Sequence, residues 1–347
     1  MSITDARTVL PALTKKDFES GVDPRWCPGC GDYAILNQVQ RALPNAGVKR
    51  ENIVFVSGIG CSSRFPYYMN TYGMHTLHGR APSFAAGLKI SRPELMVWVT
   101  TGDGDALAIG GNHFIHAMRR NLDIKLLMFN NRIYGLTKGQ VSPTSELGKK
   151  TKTTPQGSPD YPFNPPELAL GAGATFVARS IDVDGAHLAA VLKGATEHTG
   201  SVFVEVFQSC PVFNDGAYDF ITDKAVKADA QLRMEQGKPL LFGKDGTKGI
   251  RFNPQTIQLE VVTLGEDGIT EKDILIHDAT REDPGIAYML ANMSVRPGFP
   301  TPVGIFRDVR RPTVGELTWE KIEAVKAARK NVDLATLLTG PDTWTIG

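Results

Sequence analysis

From about residue 30 to 210, short apolar runs alternate with stretches of helical spacing. The runs Ile53–Val56, Leu95–Thr100, Ile124–Phe129, Ala174–Ala178 and Val202–Val206 are nearly continuous in apolar character, as strands are when helices cover both faces of a sheet. Helical spacing covers Asp32–Leu43 after a glycine turn, Phe84–Lys89, and Ala106–Arg120 after Gly102-Asp103-Gly104. Pro165-Pro166-Glu167 opens a further helix. No internal repeat is visible. The pattern predicts an α/β fold: a parallel sheet with helices on both faces.

Residues 141–165 break the pattern, being rich in Ser, Thr, Pro, Gly and Lys and too long for an ordinary connector. They read as a mobile or ligand-ordered loop, or as a plain surface excursion. After Cys210 the character changes again, with Gly, Pro and Lys enriched over 211–260 and a last helix near Trp319–Arg329, which suggests a separate C-terminal extension. At 347 residues and 41% hydrophobic, the chain can build one large core or two domains. A formal net charge of +1 argues against a global pull toward nucleic acid or an anionic membrane. The stretch from Met1 to Phe18 lacks the order of a signal peptide, and apolar runs are far shorter than a membrane span, so a cytoplasmic location is expected. In that compartment four cysteines suggest metal ligands or buried residues rather than disulfides.

The strongest chemistry lies where two apolar runs end. Val97-Trp98-Val99-Thr100-Thr101 is followed by Gly102-Asp103-Gly104-Asp105, and Leu126-Leu127-Met128-Phe129 by Asn130-Asn131-Arg132-Ile133. Successive strands of a βαβ unit often lie close together, which brings Asp103 and Asn131 to the same carboxyl edge, where α/β sheets bind ligands. A carboxylate, an amide oxygen and a backbone carbonyl, completed by diphosphate oxygens and water, make the oxygen octahedron that Mg²⁺ prefers. Glycines flanking Asp103 let the backbone approach a diphosphate, and a following helix start favours its charge. Alone, Gly-Asp-Gly is a tight strand-to-helix turn with an Asp cap; the paired asparagines shift the balance. The residues after Asp103 exclude an EF-hand, and no Rossmann or Walker fingerprint is present.

Cys27 and Cys30 stand in Trp26-Cys27-Pro28-Gly29-Cys30-Gly31, Cys61 in Gly58-Ile59-Gly60-Cys61-Ser62, and Cys210 in Ser209-Cys210-Pro211. One CxxC pair can serve a single centre, but the fold must deliver the other two, so spacing separates zinc from an iron-sulfur cluster poorly. A redox pair, or burial of Cys61 and Cys210 as small apolar residues, also fits the motif.

Two sets of motifs carry a family resemblance. Gly102-Asp103-Gly104, 25 residues, then Asn130-Asn131 is similar to the diphosphate-domain signature of thiamine diphosphate enzymes. The CPGCG, GIGC and CP motifs resemble those of the β subunits of 2-oxoacid:ferredoxin oxidoreductases, over about Trp26 to Val212. The resemblance implies a thiamine diphosphate-binding fold with an N-terminal arm (1–25), a cofactor and cluster domain (26–212) and a β-subunit extension (213–347). It assigns Asp103, Asn131 and the Ile133 carbonyl to Mg²⁺, and Cys27, Cys30, Cys61 and Cys210 to one 4Fe-4S cluster. Around thiamine diphosphate it places Ser57, Gly58, Ile59, Gly60, Cys61, His78, Gly102, Asp103, Gly104, Asp105, Asn131, Ile133, Tyr134, Gly135, Leu136 and Thr137.

Arg64 and His78 are the candidate catalytic residues. An Arg fork suits a substrate carboxylate, although a structural arginine is an equal reading, and His78 follows from the HGRA stretch. His113 and His116 lack a zinc-enzyme pattern and read as structural; Lys149, Lys150 and Lys152 read as solvated. Where many relatives carry Thr-Gly-Gly-Gln, this chain has Lys138 in Leu136-Thr137-Lys138-Gly139-Gln140, similar to the 2-oxoglutarate branch; pyruvate or another 2-oxoacid is the alternative. The implied reaction decarboxylates a 2-oxoacid, hands the acyl group to coenzyme A and passes electrons through the cluster to ferredoxin. This single-copy chain shows no candidate for the second thiamine-binding domain, so an α subunit, in an (αβ)₂ assembly, is expected. A zinc or redox electron-transfer subunit without thiamine is the reading of another class.

Overall fold

A computed structural model describes residues 13–328, 333–344 and 346. Eleven strands form among them: β1 Ile53–Ser57, β2 Tyr72–His75, β3 Met96–Gly102, β4 Ile124–Asn130, β5 Phe176–Ile181, β6 Val202–Phe207, β7 Gln231–Met234, β8 Leu241–Phe242, β9 Lys248–Asn253, β10 Gln258–Thr263 and β11 Thr301–Asp308. Eight make one sheet in the order β2-β1-β3-β4-β6-β5-β11-β7, and β10-β9-β8 make a small antiparallel sheet. In the large sheet only the β5–β11 pairing is antiparallel.

The continuous apolar runs are strands because both faces are covered. Val54, Val56, Val97, Val99, Leu126 and Met128 face one core with Ala81, Ala85, Phe114, Ala117 and Met118 from helices Ala81–Ser91 and Gly111–Arg119. The alternate residues Phe55, Trp98, Leu127 and Phe129 face a second core with Ile35, Leu36 and Val39 of helix Asp32–Ala42 and Leu188, Val191 and Leu192 of helix Gly185–Glu197. Each large apolar side chain buried in this way contributes roughly 1.5–3 kcal/mol.

Three expectations change. The helix expected from Ala106 to Arg120 is two helices, Asp103–Leu107 and Gly111–Arg119. The break at Ala108–Gly110 lets the Gly79 backbone approach so closely that a Cβ on Gly79 would lie 2.6 Å from the Gly110 nitrogen. The strand expected at Ala174–Ala178 runs two or three residues later. The segment after Cys210 is not separate: β7 and β11 finish the main sheet, and Leu232, Leu290 and Phe306 join its first core. The last helix is Val314–Ala328; Arg329 and the first twelve residues of the expected N-terminal arm lie outside the described residues. No helix among the described residues is long and apolar enough to cross a membrane.

Candidate active site

Parallel pairing sets the site. Ser57 of β1 faces Thr100 of β3, Gly102 of β3 faces Phe129 of β4, and Asn130 of β4 faces Phe207 of β6. The turns that follow these strands therefore leave one edge of the sheet together, carrying Gly58–Cys61, Asp103–Asp105, Asn131–Ile133 and Gln208–Cys210. They enclose two cavities. One, of about 540 Å³, lies over the Asp103 and Asn131 turns; the other, of about 270 Å³, lies among the cysteines. The larger is within the size range of small-molecule sites.

Asp103 opens its short helix and is buried. Its Oδ2 accepts the hydroxyls of Ser142 and Thr144, the latter at 2.6 Å, yet burial still raises the carboxyl to about 6. Both hydroxyls come from the polar segment 141–165. That segment is no plain surface excursion, since Ser142, Thr144, Ser145, Ser158 and Asn164 are buried. Its polar residues serve as donors to a carboxylate that lost its water. Asn131 Oδ1 accepts the Ile133 N–H at 3.1 Å, and no donor of the described residues meets the Ile133 carbonyl. A carboxylate, an amide oxygen and a free carbonyl thus border one cavity, a donor set that fits Mg²⁺. Gly104 is obligatory beside them, because a Cβ there would sit 2.2 Å from the Tyr134 ring.

Asp105 fastens the opposite wall. Its Oδ1 accepts the N–H groups of Ile59 (3.1 Å) and Gly79 (2.7 Å), and its Oδ2 accepts the Thr101 hydroxyl at 2.7 Å. The same Oδ1 lies 2.7 Å from His78 Nδ1. A carboxylate oxygen in that position fixes the neutral imidazole with its proton on Nδ1 and leaves Nε2 as an acceptor. Gly58 packs on this carboxylate, where a Cβ would come within 1.9 Å of Oδ2.

Cys27, Cys30, Cys61 and Cys210 all line the smaller cavity, with Arg25, Arg64 and Lys138 on its walls. Trp26 holds the CxxC turn to the Cys61 loop by donating its indole N–H to the Cys61 carbonyl at 2.7 Å. Burial pushes the Cys61 thiol up to about 12 and raises Cys30 and Cys210 as well, so thiolates here require a cationic centre to hold them. Among the described residues, no three His, Cys, Asp or Glu side chains close on a single ion. The four thiols line one cavity, so the fold brings Cys61 and Cys210 to the CxxC pair.

Of the residues expected at the cofactor, Ile59, Gly60, Cys61, His78, Gly102, Asp103, Gly104, Asp105, Asn131, Ile133, Tyr134, Gly135, Leu136 and Thr137 line the larger cavity. Ser57 and Gly58 do not. Ser57 is fully buried at the end of β1, where its hydroxyl donates to the Ser63 carbonyl, and Gly58 backs Asp105. Arg64 lines the cysteine cavity rather than the larger one. Gln140, expected at the cofactor as the end of the loop Tyr134–Gln140, also lines this cavity, whereas sequence reasoning missed Asp32, Ser62, Phe129, Val141 and Gln208. Asp32 had a signal, a carboxylate directly after CPGCG. It is buried, neither oxygen is in a regular hydrogen bond, and burial raises it to about 7 although the neighbouring Cys30 thiol acts the other way.

Fold and site together define a thiamine diphosphate-binding domain, and a model of the thiamine pyrophosphate enzyme C-terminal TPP-binding domain matches residues 58–206. The 2-oxoglutarate oxidoreductase subunit KorB of Mycobacterium tuberculosis is 50% identical over 333 residues, 95% of this chain and 88% of the relative. The 2-oxoacid:ferredoxin oxidoreductase subunit beta of Saccharolobus solfataricus is 47% identical over 192 residues, 55% of this chain and 63% of the relative. A solved structure of 2-oxoglutarate:ferredoxin oxidoreductase from Magnetococcus marinus, with 2-oxoglutarate, coenzyme A and succinyl-CoA bound, superposes with a TM-score of 0.75. It is 35% identical, covering 96% of this chain and 98% of that one. The chain belongs to the β-subunit family of the 2-oxoacid:ferredoxin oxidoreductases, in the KorB group.

Proposed function

We propose that this chain is the catalytic β subunit of a cytoplasmic 2-oxoglutarate:ferredoxin oxidoreductase. It binds thiamine diphosphate through Mg²⁺ on Asp103, Asn131 and the Ile133 carbonyl, and one 4Fe-4S cluster on Cys27, Cys30, Cys61 and Cys210. With an α subunit, in an (αβ)₂ assembly, it converts 2-oxoglutarate and coenzyme A to succinyl-CoA and CO₂, or the reverse, exchanging electrons with ferredoxin. The observation that carries this reading is that the two cavities share a wall: Cys61, Asn131, Gly135, Leu136 and Gln208 line both. A cofactor held in one and a cluster held in the other would be separated by these shared residues alone, as an electron-transferring decarboxylase requires.

When bound, thiamine diphosphate supplies the electron sink for decarboxylation, and the cluster the one-electron steps. The chain's own residues supply position and charge. Asp105 aims His78 at the larger cavity, its Nε2 free to accept a proton from substrate or cofactor. Tyr134 and Leu136 add apolar surface to the wall of the larger cavity. Arg25, Arg64 and Lys138 line the cysteine cavity, and across the wall it shares with the larger cavity their positive charge suits a dicarboxylate.

The test is anaerobic purification of the chain with its α subunit, followed by iron, sulfide, magnesium and thiamine analysis and by turnover with 2-oxoglutarate. About four iron and four sulfide per chain, stoichiometric thiamine and CoA-dependent ferredoxin reduction are expected. Zinc in place of iron, or no thiamine in the assembled enzyme, overturns the reading.

A further inference from the structure

Because Asn130 of β4 lies opposite Phe207 of β6, the next residues on each strand, Asn131 and Gln208, leave the sheet side by side. Both are buried. The Asn131 amide is oriented by the Ile133 N–H, which donates to its Oδ1 at 3.1 Å, so its Nδ2 turns toward Gln208 and donates to Oε1 at 2.8 Å. Gln208 then has one orientation only. Its Nε2 donates to the Ser209 carbonyl and lies 3.3 Å from Cys30 Sγ. Flipping that amide would set an oxygen against the Ser209 carbonyl and a nitrogen against Asn131 Nδ2, losing both bonds.

We propose that Gln208 is a positioning residue that joins the two centres. Its Oε1 holds Asn131 in the orientation a Mg²⁺ ligand needs, and its Nε2–H donates to the sulfur of Cys30 and sets the potential of the cluster bound there. The proposal rests on the functional reading above. Two physical effects follow from it. A side chain that orients a metal ligand changes metal affinity by roughly ten- to a hundred-fold when it is removed. An N–H donated to a ligand sulfur stabilises the more electron-rich, reduced cluster, so its loss makes the midpoint potential more negative. Ordinary packing would not tie these two properties to one amide.

The test compares the wild-type αβ holoenzyme with Gln208→Met and Gln208→Glu. The methionine keeps length and removes both hydrogen bonds; the glutamate keeps an oxygen for Asn131 and, at pH 8, offers no donor to Cys30. Cluster potential is read by redox titration followed by electron paramagnetic resonance, and cofactor affinity by calorimetric titration of the stripped enzyme with Mg²⁺ and thiamine diphosphate. Both variants are expected to have potentials more negative than the wild type. Affinity is expected to fall about tenfold in Gln208→Met and to stay near wild type in Gln208→Glu. Unshifted potentials in both variants, or equal loss of affinity in both, overturn the proposal while leaving the functional reading intact. A wild-type holoenzyme without a reducible cluster, or one that binds no thiamine diphosphate, overturns the two together.

Discussion

His78 Nδ1 lies 2.7 Å from Asp105 Oδ1, an oxygen that also accepts the backbone N–H groups of Ile59 and Gly79. One buried carboxylate thereby joins the loop after β1, the HGRA stretch and the Gly-Asp-Gly turn into a single cofactor wall. The sequence showed the two residues 27 positions apart with no sign of their pairing.

Asp105→Ala strands two N–H groups and the Thr101 hydroxyl in a buried place, each costing about 1–3 kcal/mol when left unmade. We expect a loss of roughly 3 kcal/mol or more in unfolding free energy, and at least tenfold weaker binding of thiamine diphosphate, because the wall it fastens loosens. Asp105→Asn, which keeps one acceptor oxygen, should lose less. Chemical denaturation and cofactor titration check both; an alanine variant as stable as the wild type would contradict the role given to Asp105.

Lys138 stands at a positive φ of 77° on the loop Tyr134–Gln140 and lines the cysteine cavity. If its ammonium meets the second carboxylate of 2-oxoglutarate, Lys138→Ala should raise KM for that substrate about tenfold, an ion pair of roughly 1.4 kcal/mol. KM for a monocarboxylate such as 2-oxobutyrate should change little. Equal effects on both substrates would move the specificity determinant elsewhere.

Arg179 and Glu205 form an ion pair at 2.6 Å, both wholly buried, with Glu205 also accepting from Asn130 Nδ2 and Arg179 stacked on Phe207. Removing one partner leaves an uncompensated buried charge, so Arg179→Met should cost about 3–5 kcal/mol, while the double variant Arg179→Met with Glu205→Leu should recover much of the loss. A double-mutant cycle in denaturant measures the coupling. Additive losses would show that the two residues stabilise the fold independently and not as a pair.

Asp123 sits at 2.7 Å from Lys89 and 2.9 Å from Lys125. Burial raises its carboxyl, but the two lysines outweigh that effect and hold it at about 2. A folded value below the unfolded value of about 3.8 stabilises the fold at every pH above the latter, and the contribution disappears as pH falls from about 4 to 2. Burial depresses Lys125 and offsets part of the gain, leaving roughly 1–2 kcal/mol. Asp123→Asn should therefore be less stable than the wild type at pH 7 and equal to it near pH 2, as read from denaturant midpoints. A gap that persists at pH 2 would assign the effect to packing.

The local signals were legible because they depend on neighbours in the chain. Continuous apolar runs mark strands covered on both sides, and Gly-Asp-Gly, Asn-Asn and the cysteine turns mark what stands at their ends. Four of the five expected strands lie within a residue or two of their predicted bounds. The helix broken at Ala108 was not legible, since what packs against the break is the backbone of Gly79, distant in sequence and close in space.

By itself, then, the sequence determined the five neighbouring parallel strands β1, β3, β4, β5 and β6 and the turn residues at their ends, through periodicity and turn chemistry that act over a few residues. It did not mark the short edge strand β2 or the strands β7 to β11. Tertiary structure alone decided the strand order, with β6 inserted between β4 and β5 and the C-terminal β11 closing on β5. Strand order depends on shape and apolar matching between segments scores of residues apart, which no local period records. That order sets Gln208 beside Asn131, brings the hydroxyls of Ser142 and Thr144 onto Asp103, and gathers Cys210 with the three earlier cysteines around one cavity.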